Sequence, residues 1–318
     1  MNTETLARNI AYLNQALGGM IRRLLADDTI TEIMVNPDGT LWAEQHGTGP
    51  ERVAVTYEVS TRESIIKTVA ALLGVVATKD HPIIQGELPF SHHRFQGIIP
   101  PVSQAPCFTI RKHTAQLLTI SDYVRDGIMT NSQSEILHEA LRNQDTILIS
   151  GASNSGKTTL ANSLLTAIAG NDAVRVVIIE DTRELQCRAA NVVTLRTSEH
   201  ITLRDLVRSA LRLRPDRLIV GEVRGPEALD LLKAWNTGHR GGLSSIHANS
   251  VGSVYARLAG LVAENAGYAL PPAVFAEAIN LLVHMEYDGQ SRRVTDIVRV
   301  VPSGQTFELV PFPKGQPQ

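Results

Sequence analysis

The chain has 318 residues, of which 43% are hydrophobic, and a formal net charge of −2. This length corresponds to about two domains of typical size, and the hydrophobic content is enough for both to bury a core, which excludes an intrinsically disordered chain. No stretch approaches the ~18 consecutive apolar residues of a membrane-spanning helix. The first residues lack the basic start and continuous apolar run of a signal peptide, so we expect a cytoplasmic protein.

Cysteine and charge content exclude further classes. Cys107 and Cys187 form no CxxC pair, which argues against a disulfide scaffold or a structural zinc site.

Residues 1–120 contain ten lysines or arginines and eleven acids, so neither half is basic, and we expect no sequence-specific binding of nucleic acid. Only six of the thirty cationic residues are lysines. Arginine suits phosphates and interface ion pairs, but high genomic GC content would give the same bias, and both explanations stay open.

The first part of the chain predicts a small mixed α/β domain over residues 1–112. One apolar face of a helix is indicated by Leu6, Ile10, Leu13 and Leu17; packing within the domain is favoured over membrane binding because the polar face is not rich in lysine or arginine. EIMV and TLWAEQ flank a turn at residues 36–39 and predict a hairpin. Ser60-x-x-Glu63 predicts a capping box at the start of a second helix. Residues 81–110 predict short strands.

Residues 113–131 have no strong pattern apart from a possible short helix, and we place the interdomain linker there. Ser132-x-x-Glu135 predicts another capped helix. Residues 132–318 then alternate between helical patterns and short apolar strands, namely TILIS, RVVIIE, NVVTLRT, DRLIVGE and GLSSIHA. This alternation predicts a parallel sheet covered on both faces, which is an α/β nucleotide-binding architecture. Helical segments are expected from about 252 to 285, then a strand pair at 292–301 and 305–312, and a disordered end at 313–318.

The strongest motif fits the phosphate-loop pattern GxxxxGK[ST] between a predicted strand and a predicted helix. Glycines let backbone amides turn toward phosphates, Lys157 reaches the β and γ oxygens, and Thr158 ligates Mg²⁺. No Asn-Lys-x-Asp element is present, which disfavours GTP. The predicted nucleotide-binding residues are Gly151, Ala152, Ser153, Asn154, Ser155, Gly156, Lys157, Thr158 and Thr159.

Acidic residues follow two of the predicted strands. Glu222 ends the strand LIVGE, where open α/β sheets bind ligands, and suits a residue that orients water or the magnesium shell, although aspartate is more usual there. The turn Glu180-Asp181-Thr182-Arg183-Glu184 follows RVVIIE. It clusters three acids near which a divalent cation would fit, and the alternative is an ordinary solvated loop.

Two histidines and an arginine stripe have open interpretations. His239 and His247 lack the carboxylates or cysteines that would complete a metal site; His247 at a strand tip either senses the γ-phosphate or is a buried structural histidine. Arg204, Arg208 and Arg212 share one helix face. They form either a solvated stripe or a subunit interface near a neighbour's nucleotide, in which Arg212 and Arg214 would matter most.

Several segments together resemble the secretion ATPase superfamily, especially the traffic ATPases of conjugative type IV secretion. They are GASNSGKTT, EDTREL, FQGIIPPVS, FTIRK and the long segment LRLRPDRLIVGEVRGPEALDLLKAWNTGHRGGLSSIHANS. The four family motifs lie in the expected order across residues 151–250, and the match is weaker over residues 1–80.

This resemblance implies a RecA-like ATPase domain over 132–318 and a homo-hexameric ring at the cytoplasmic face of the inner membrane. The ring would hydrolyse ATP with Mg²⁺ and work with inner-membrane components of a conjugation channel. It implies catalytic roles for Lys157, Glu184, Glu222 and His247, and Mg²⁺ binding, partly through water, by Thr158, Glu180 and Asp181. The remaining positions that it implies are His239 in the histidine box and two phosphate-binding arginines, Arg94 and Arg111. Arg240 departs from the family pattern, in which proline is expected.

Two other functions are compatible with the motifs. A pilus extension or retraction motor of the same superfamily is disfavoured by the short N-terminal domain and the lack of a zinc-ligating cysteine cluster. A nucleotide-dependent switch or scaffold that scarcely hydrolyses ATP is disfavoured because every acidic motif is present.

Overall fold

The computed structural model describes residues 3–45, 48–88, 91, 93–112, 118–170, 173–198, 200–265 and 267–312. The chain divides into two compact units, residues 1–116 and 117–318. Across the described ranges, no helix is long and apolar enough to cross a membrane.

The N-terminal unit is an antiparallel sheet with two helices. Its elements are α1 (Thr3–Ala26), β1 (Ile30–Val35), β2 (Thr40–Gln45), β3 (Pro50–Thr56), α2 (Val59–Leu72), β4 (Ile83–Glu87), β5 (Arg94–Ile98) and β6 (Cys107–Arg111). The strand order is β3-β2-β1-β6-β5-β4, and the predicted hairpin pairs β1 with β2. The core lies between the helices and the sheet and includes Ile21, Ile33, Ile65 and Ile110.

Helix α1 packs its apolar face into this core. Leu13 and Leu17 are fully buried, and Leu6 and Ile10 are partly buried against the same cluster, so the predicted face serves domain packing. The helix is interrupted at Gly18, whose φ of 73° is accessible to glycine. At this break, the hydroxyl of Tyr57 donates to the carbonyl of Leu17 at 2.7 Å.

The C-terminal unit contains an eight-stranded mixed sheet. Its elements are α3 (Ile120–Arg125), α4 (Asn131–Arg142), β7 (Ile147–Gly151), α5 (Lys157–Ile168), β8 (Arg175–Glu180), β9 (Asn191–Arg196), α6 (Leu203–Ala210), β10 (Arg217–Val220), α7 (Glu227–Asn236), β11 (Leu243–His247), α8 (Val254–Ala263), α9 (Pro272–Ala278), β12 (Leu281–Tyr287), β13 (Arg292–Ser303) and β14 (Thr306–Pro311). The strand order is β14-β13-β12-β7-β11-β10-β8-β9. The six strands from β12 to β9 are parallel, and β13 and β14 are antiparallel to their neighbours.

Two apolar clusters lie on opposite faces of this sheet because successive strand residues point to opposite sides. Leu148 of β7 belongs to the cluster with α7, α8 and α9, whereas Ile147 and Ile149 belong to the cluster with α4 and α5. The predicted α/β fold, with a parallel-rich sheet covered on both faces and a smaller N-terminal α/β unit, is therefore confirmed.

Residues 281–285 were expected to be helical, and this prediction is wrong. They belong to β12, which lies between β7 and β13 near the middle of the sheet. A short apolar run such as LLVHM does not distinguish a buried strand from a buried helix by periodicity. The side chains of residues 281–285 are buried on both faces of the sheet, and this burial stabilises the strand.

Both predicted capping boxes are also wrong. Helix α2 begins after Glu58, which makes no side-chain cap, so Ser60 already lies inside the first turn. Helix α4 is capped by Thr130 and Gln133 in a reciprocal box, two residues before the predicted pair. At α4 another polar pair two residues earlier forms the cap, whereas α2 begins one residue before Ser60 without any side-chain cap.

The predicted linker at 113–131 covers the boundary between the two units. Residues 113–117 lie outside the described residues, as does the predicted disordered end at 313–318. Helix α3 lies within the predicted linker range, and its Ile120 and Tyr123 are buried in the C-terminal core. The assignment of 1–112, 113–131 and 132–318 as domain, linker and domain stays a prediction.

Candidate nucleotide-binding site

Four parallel strands end beside one another and carry most of the predicted site. Register pairs place Gly151 opposite His247, and Val220 beside both Ile179 and Ser244. The carboxyl ends of β7, β8, β10 and β11 therefore share one edge of the sheet, the edge at which such sheets bind ligands.

The phosphate loop connects β7 to α5 in a backbone conformation that needs glycine at two points. A Cβ on Gly151 would lie 2.4 Å from the carbonyl oxygen of Met285 in the neighbouring β12. Gly156, which precedes the first residue of α5, has a φ of 93°, and Asn154 between them has a φ of 62°. Asparagine tolerates this left-handed conformation better than most residues, so the loop is compatible with the local sequence.

The Lys157 ammonium folds back onto its own loop. Nζ donates to the carbonyl oxygens of Gly151 at 3.0 Å and Ala152 at 2.7 Å, and lies 3.3 Å from Nδ1 of His247. The side chain is buried, and burial lowers the pKa of Lys157 while the charge of Glu222 raises it. These three acceptors replace the water that a buried ammonium loses.

His247 lies between Lys157 and the carboxylate predicted as the catalytic base. Because a lysine ammonium only donates, Nδ1 of His247 accepts, and the proton of the neutral ring is on Nε2. Nε2 lies 2.8 Å from Oε1 of Glu222. That contact is not aligned as a hydrogen bond, and Oε1 is buried without another partner. The alternative of a histidine enclosed in the core does not hold, since 43% of the His247 side chain is exposed.

Arg224 is a site residue that the sequence analysis missed. Its Nε donates to Oε2 of Glu222 at 2.8 Å, and its Nη1 donates to Oδ2 of Asp181 at 2.6 Å. Glu227 at the start of α7 accepts from the backbone N–H groups of Arg224 and Gly225. A continuous series of polar contacts thus connects the phosphate loop, the end of β11, the end of β10 and the acidic turn. The sequence signal for Arg224 is its position two residues after Glu222, the acid that follows β10.

Glu180 organises the acidic turn from within the protein. Its Oε1 accepts from the backbone N–H groups of Glu184 at 2.9 Å and Leu185 at 2.7 Å, while Oε2 is buried and has no hydrogen-bond partner among the described residues. Burial raises the pKa of Glu180 to about 7, although the two N–H groups lower it. The Glu180 carboxyl group therefore has a structural role in the acidic turn, beside the Mg²⁺-binding role predicted for it.

Thr158 and Glu184 come together beside the loop. The Thr158 hydroxyl donates to Oε2 of Glu184 at 3.1 Å, which leaves the lone pairs of Oγ1 available to a cation. Asn162, one turn further along α5, donates to the carbonyl of Glu184 and accepts from the N–H of Gln186, so it fixes this end of the turn. Asn162 was not singled out in the sequence because an amide within a helix has no distinctive local signature.

The fit to Mg²⁺ can be judged from these donors. No cluster of three or more acids, histidines or cysteines suited to a metal is present in the part of the chain that the structure describes. Mg²⁺ commonly binds one or two protein oxygens together with water and substrate phosphates. A hydroxyl ligand from Thr158, with Glu184 hydrogen-bonded to it, fits that mode, whereas both oxygens of Asp181 already accept hydrogen bonds.

The two histidines of the histidine box, His239 and His247, lie at opposite ends of β11. His239 lies before β11, where its Nδ1 is 3.4 Å from the carbonyl oxygen of Pro215, and the length of the strand separates it from His247. The glycines beside it have packing roles. A Cβ on Gly241 would lie 2.0 Å from Nη1 of the buried Arg217, and one on Gly242 would collide with the Trp235 ring.

Two members of the arginine stripe have partners inside the unit. Arg204 and Arg208 of α6 donate to the two carboxylate oxygens of Asp230 on α7, at 2.7 and 2.9 Å. Arg212 and Arg214 are exposed just before β10. The first two arginines therefore join α6 to α7, which neither interpretation of the stripe anticipated.

Arg94 and Arg111 are neighbours in the N-terminal unit. They face each other directly across β5 and β6. Each is also paired in register with an acid on its other side, Glu87 for Arg94 and Glu32 for Arg111. Like charges directly opposite each other destabilise a sheet, and the flanking acids compensate part of that cost.

Comparison with known proteins identifies the family. A family model described as "Type II/IV secretion system protein" matches residues 14–285. The chain belongs to this family, and the resemblance seen in the sequence motifs is confirmed.

Among individual relatives, the probable conjugal transfer protein TrbB of Sinorhizobium fredii is 45% identical over 296 residues, covering 92% of this chain and 90% of that protein. Two solved structures share the fold. The ATPase DotB of Legionella pneumophila has a TM-score of 0.61 with 18% identity, covering 88% of this chain and 79% of that chain. The pilus retraction motor PilT has a TM-score of 0.62 with 16% identity, covering 93% and 82%.

The raised pKa of Glu180 makes stability depend on pH. Between the unfolded value of 4.5 and about 7, the folded protein retains a proton that the unfolded chain has lost, so the free energy of unfolding falls as pH rises. Glu180→Gln mimics the protonated acid and cannot ionise. We expect the variant to gain stability relative to the wild type from pH 5 to pH 8, by up to about 3 kcal/mol.

This difference is measurable by urea unfolding followed through Trp235, in a Trp42→Phe background so that only the C-terminal unit reports. Equal differences between Glu180→Gln and the parent at pH 5 and pH 8 would contradict the assignment.

Proposed function

We propose that this protein hydrolyses ATP with Mg²⁺ at the shared carboxyl edge of its C-terminal sheet. The observation that carries the proposal is the series of contacts from Lys157 through His247 to Glu222. In it, the Lys157 ammonium and a buried carboxylate oxygen of Glu222 lie against opposite nitrogens of one imidazole ring.

In this proposal the loop binds the phosphates through its backbone N–H groups and the N-terminal end of α5. Lys157 exchanges the carbonyls of Gly151 and Ala152 for β and γ phosphate oxygens. Thr158 would hold Mg²⁺, which would supply positive charge to neutralise the phosphates. Glu184 orients the Thr158 hydroxyl, and Asp181 acts through water, since Arg224 occupies its carboxylate.

Glu222 is proposed as the base that accepts a proton from the attacking water. Its Oε1 is the oxygen without an aligned hydrogen bond, and Arg224 holds Oε2. His247 is proposed to report the γ-phosphate, because any movement of Lys157 toward phosphate removes the partner of its Nδ1. The bound nucleotide would thereby alter the orientation of the base.

Arg94 and Arg111 are proposed to bind phosphate. Two guanidinium groups facing each other across adjacent strands supply the charge and the planar donors that phosphate oxygens need. An anion between them would also relieve their mutual repulsion.

At the level of the cell, we propose a motor that powers assembly or substrate transfer in a conjugative type IV secretion system. The 45% identity to a protein named for conjugal transfer supports this role over that of a pilus motor, with which the likeness is one of fold. The proposal includes a homo-hexamer, peripheral association with the cytoplasmic side of the inner membrane, contacts with membrane components of the channel, and no sequence-specific contact with DNA.

Lys157→Ala tests the site. We expect ATP hydrolysis in the presence of Mg²⁺ to be abolished, because the transition state spreads charge over oxygens that this ammonium stabilises. Phosphate release is measured for the wild type, for Lys157→Ala and for a control, Lys233→Ala, which removes an exposed lysine on α7.

Wild-type turnover in Lys157→Ala would refute the loop assignment. Tight ATP binding by a wild type that releases no phosphate, alone or as an oligomer, would favour the nucleotide-dependent switch instead.

The paired arginines generate a second prediction. Replacing both Arg94 and Arg111 with glutamine should weaken ATP binding at least about tenfold, since hydrogen bonds to charged groups contribute about 1.5–3 kcal/mol each. The same change removes one like-charge pair and also the two cross-strand pairs with Glu87 and Glu32, so the free energy of unfolding without nucleotide should change little. Arg52→Gln on β3 is the matched control. Unchanged ATP affinity in the double variant would exclude the phosphate role.

A further inference from the structure

The hairpin between β12 and β13 lies beside the phosphate loop, although the two are separated by about 130 residues in sequence. Strand β12 pairs with β7 up to Met285 opposite Gly151. The chain then turns at Asp288, whose carboxylate accepts from the N–H groups of Gln290 and Ser291 and from the Ser291 hydroxyl. These bonds lower the pKa of Asp288 to about 2, so the turn is held by an ionised group.

Arg292, the first residue after this turn, reaches the loop. Its Nε donates to the carbonyl oxygen of Asn154 at 2.9 Å. Its guanidinium carbon lies 5.1 Å from the centre of the Tyr287 ring, a cation–π distance. Its Cδ approaches Gly156 so closely that a Cβ there would lie 3.1 Å away. One side chain therefore touches the loop at two points on either side of Ser155.

Strand β13, which carries Arg292, is fixed by hydrogen bonds to the segment that precedes α4 and to α4 itself. Two residues later, the N–H of Val294 donates to the carbonyl of Ile128 at 2.8 Å, and Nε2 of Gln133 donates to the carbonyl of Val294 at 2.9 Å. Gln133 is also the residue whose Oε1 completes the cap of α4. Arg292 thus projects from a strand tied to a helix start, which is a rigid position for a residue that supports a binding loop.

Asn154 is the point of the loop at which such support has the largest effect. A residue other than glycine in the left-handed region costs of order 1 kcal/mol or more and persists only when its surroundings hold it. The guanidinium holds the carbonyl of this residue, so it stabilises the left-handed backbone conformation of Asn154 and with it the shape of the loop before α5.

We propose that Arg292 is a positioning residue that keeps the phosphate loop in its nucleotide-binding conformation before nucleotide arrives. The inference rests on the proposed function of the loop and extends it to a residue far from any motif. Without Arg292, the loop has to become ordered during binding. The cost of this ordering weakens the binding of ADP and of ATP alike. Lys157, Glu222 and Arg224 are left in place, so the chemical step is affected much less than binding.

The experiment compares Arg292→Ala with Arg293→Ala. Arg293 is the adjacent residue on the strand, is exposed, and points to the opposite side. For Arg292→Ala we expect the Kd of ADP and of ATP, measured by calorimetry, and the KM for ATP to rise by a common factor of about ten, with kcat within about twofold. Without nucleotide, the amides of residues 152–156 should exchange with deuterium faster than in Arg293→Ala. Arg292→Lys, which keeps the charge but not the planar donor, should fall between.

Wild-type affinity and exchange in Arg292→Ala would overturn the proposal, as would a loss confined to kcat. If Arg292→Ala does not fold, Arg292→Lys decides: reduced affinity with faster deuterium exchange at residues 152–156 supports the role, and wild-type affinity refutes it. A wild type that binds no nucleotide would instead count against the proposed function, whereas the exchange difference at residues 152–156 tests the support of the loop by itself.

Discussion

The buried ammonium of Lys157 is the constraint around which the C-terminal unit is arranged. A charge removed from water must be compensated by other groups, and here two carbonyls of its own loop and one imidazole nitrogen do so. Gly151 is the last residue of β7, Ala152 follows it, and His247 ends β11; the two strands are neighbours that pair Gly151 with His247. The position of the lysine therefore depends on the pairing of the sheet.

The electrostatics of the surrounding groups explain why a divalent cation belongs to the proposed chemistry. Four acids, Glu180, Asp181, Glu184 and Glu222, lie around two cations, Lys157 and Arg224. A nucleoside triphosphate would add further negative charge, and a divalent cation held beside Thr158 would supply the positive charge that offsets it. The raised pKa of Glu180 reduces the excess, since the group is partly protonated near neutral pH.

The sequence predicted those parts of the fold and site that are encoded locally. The phosphate loop, the strand-end acids and His247 were predicted as site residues because each follows an apolar run, and the structure brings them together because the carboxyl ends of parallel strands share one edge. The run LLVHM was misassigned because both buried helices and buried strands show it. The cap of α4 lies two positions before the predicted pair because Thr130 and Gln133 offer the same chemistry as Ser132 and Glu135.

Contacts between segments that are distant in the sequence could not be predicted from local patterns. Arg292 approaches Asn154 only because β12 lies beside β7, a pairing that follows from the whole sheet order. Asp230, which joins Arg204 and Arg208, is likewise visible only once α6 and α7 are packed. Arg224 was closer to prediction, since it follows Glu222 by two residues, but its contact with Asp181 requires β8 and β10 to be adjacent.

The most direct test of the account is to measure ATP binding and ATP hydrolysis separately in Glu222→Gln, with Glu135→Gln on the exposed face of α4 as control. The account predicts that Glu222→Gln binds ATP with nearly wild-type affinity and hydrolyses it at least about a hundredfold more slowly, the lower range for loss of a positioned base. Loss of binding in proportion to the loss of rate would contradict it and would make Glu222 a structural partner of Arg224.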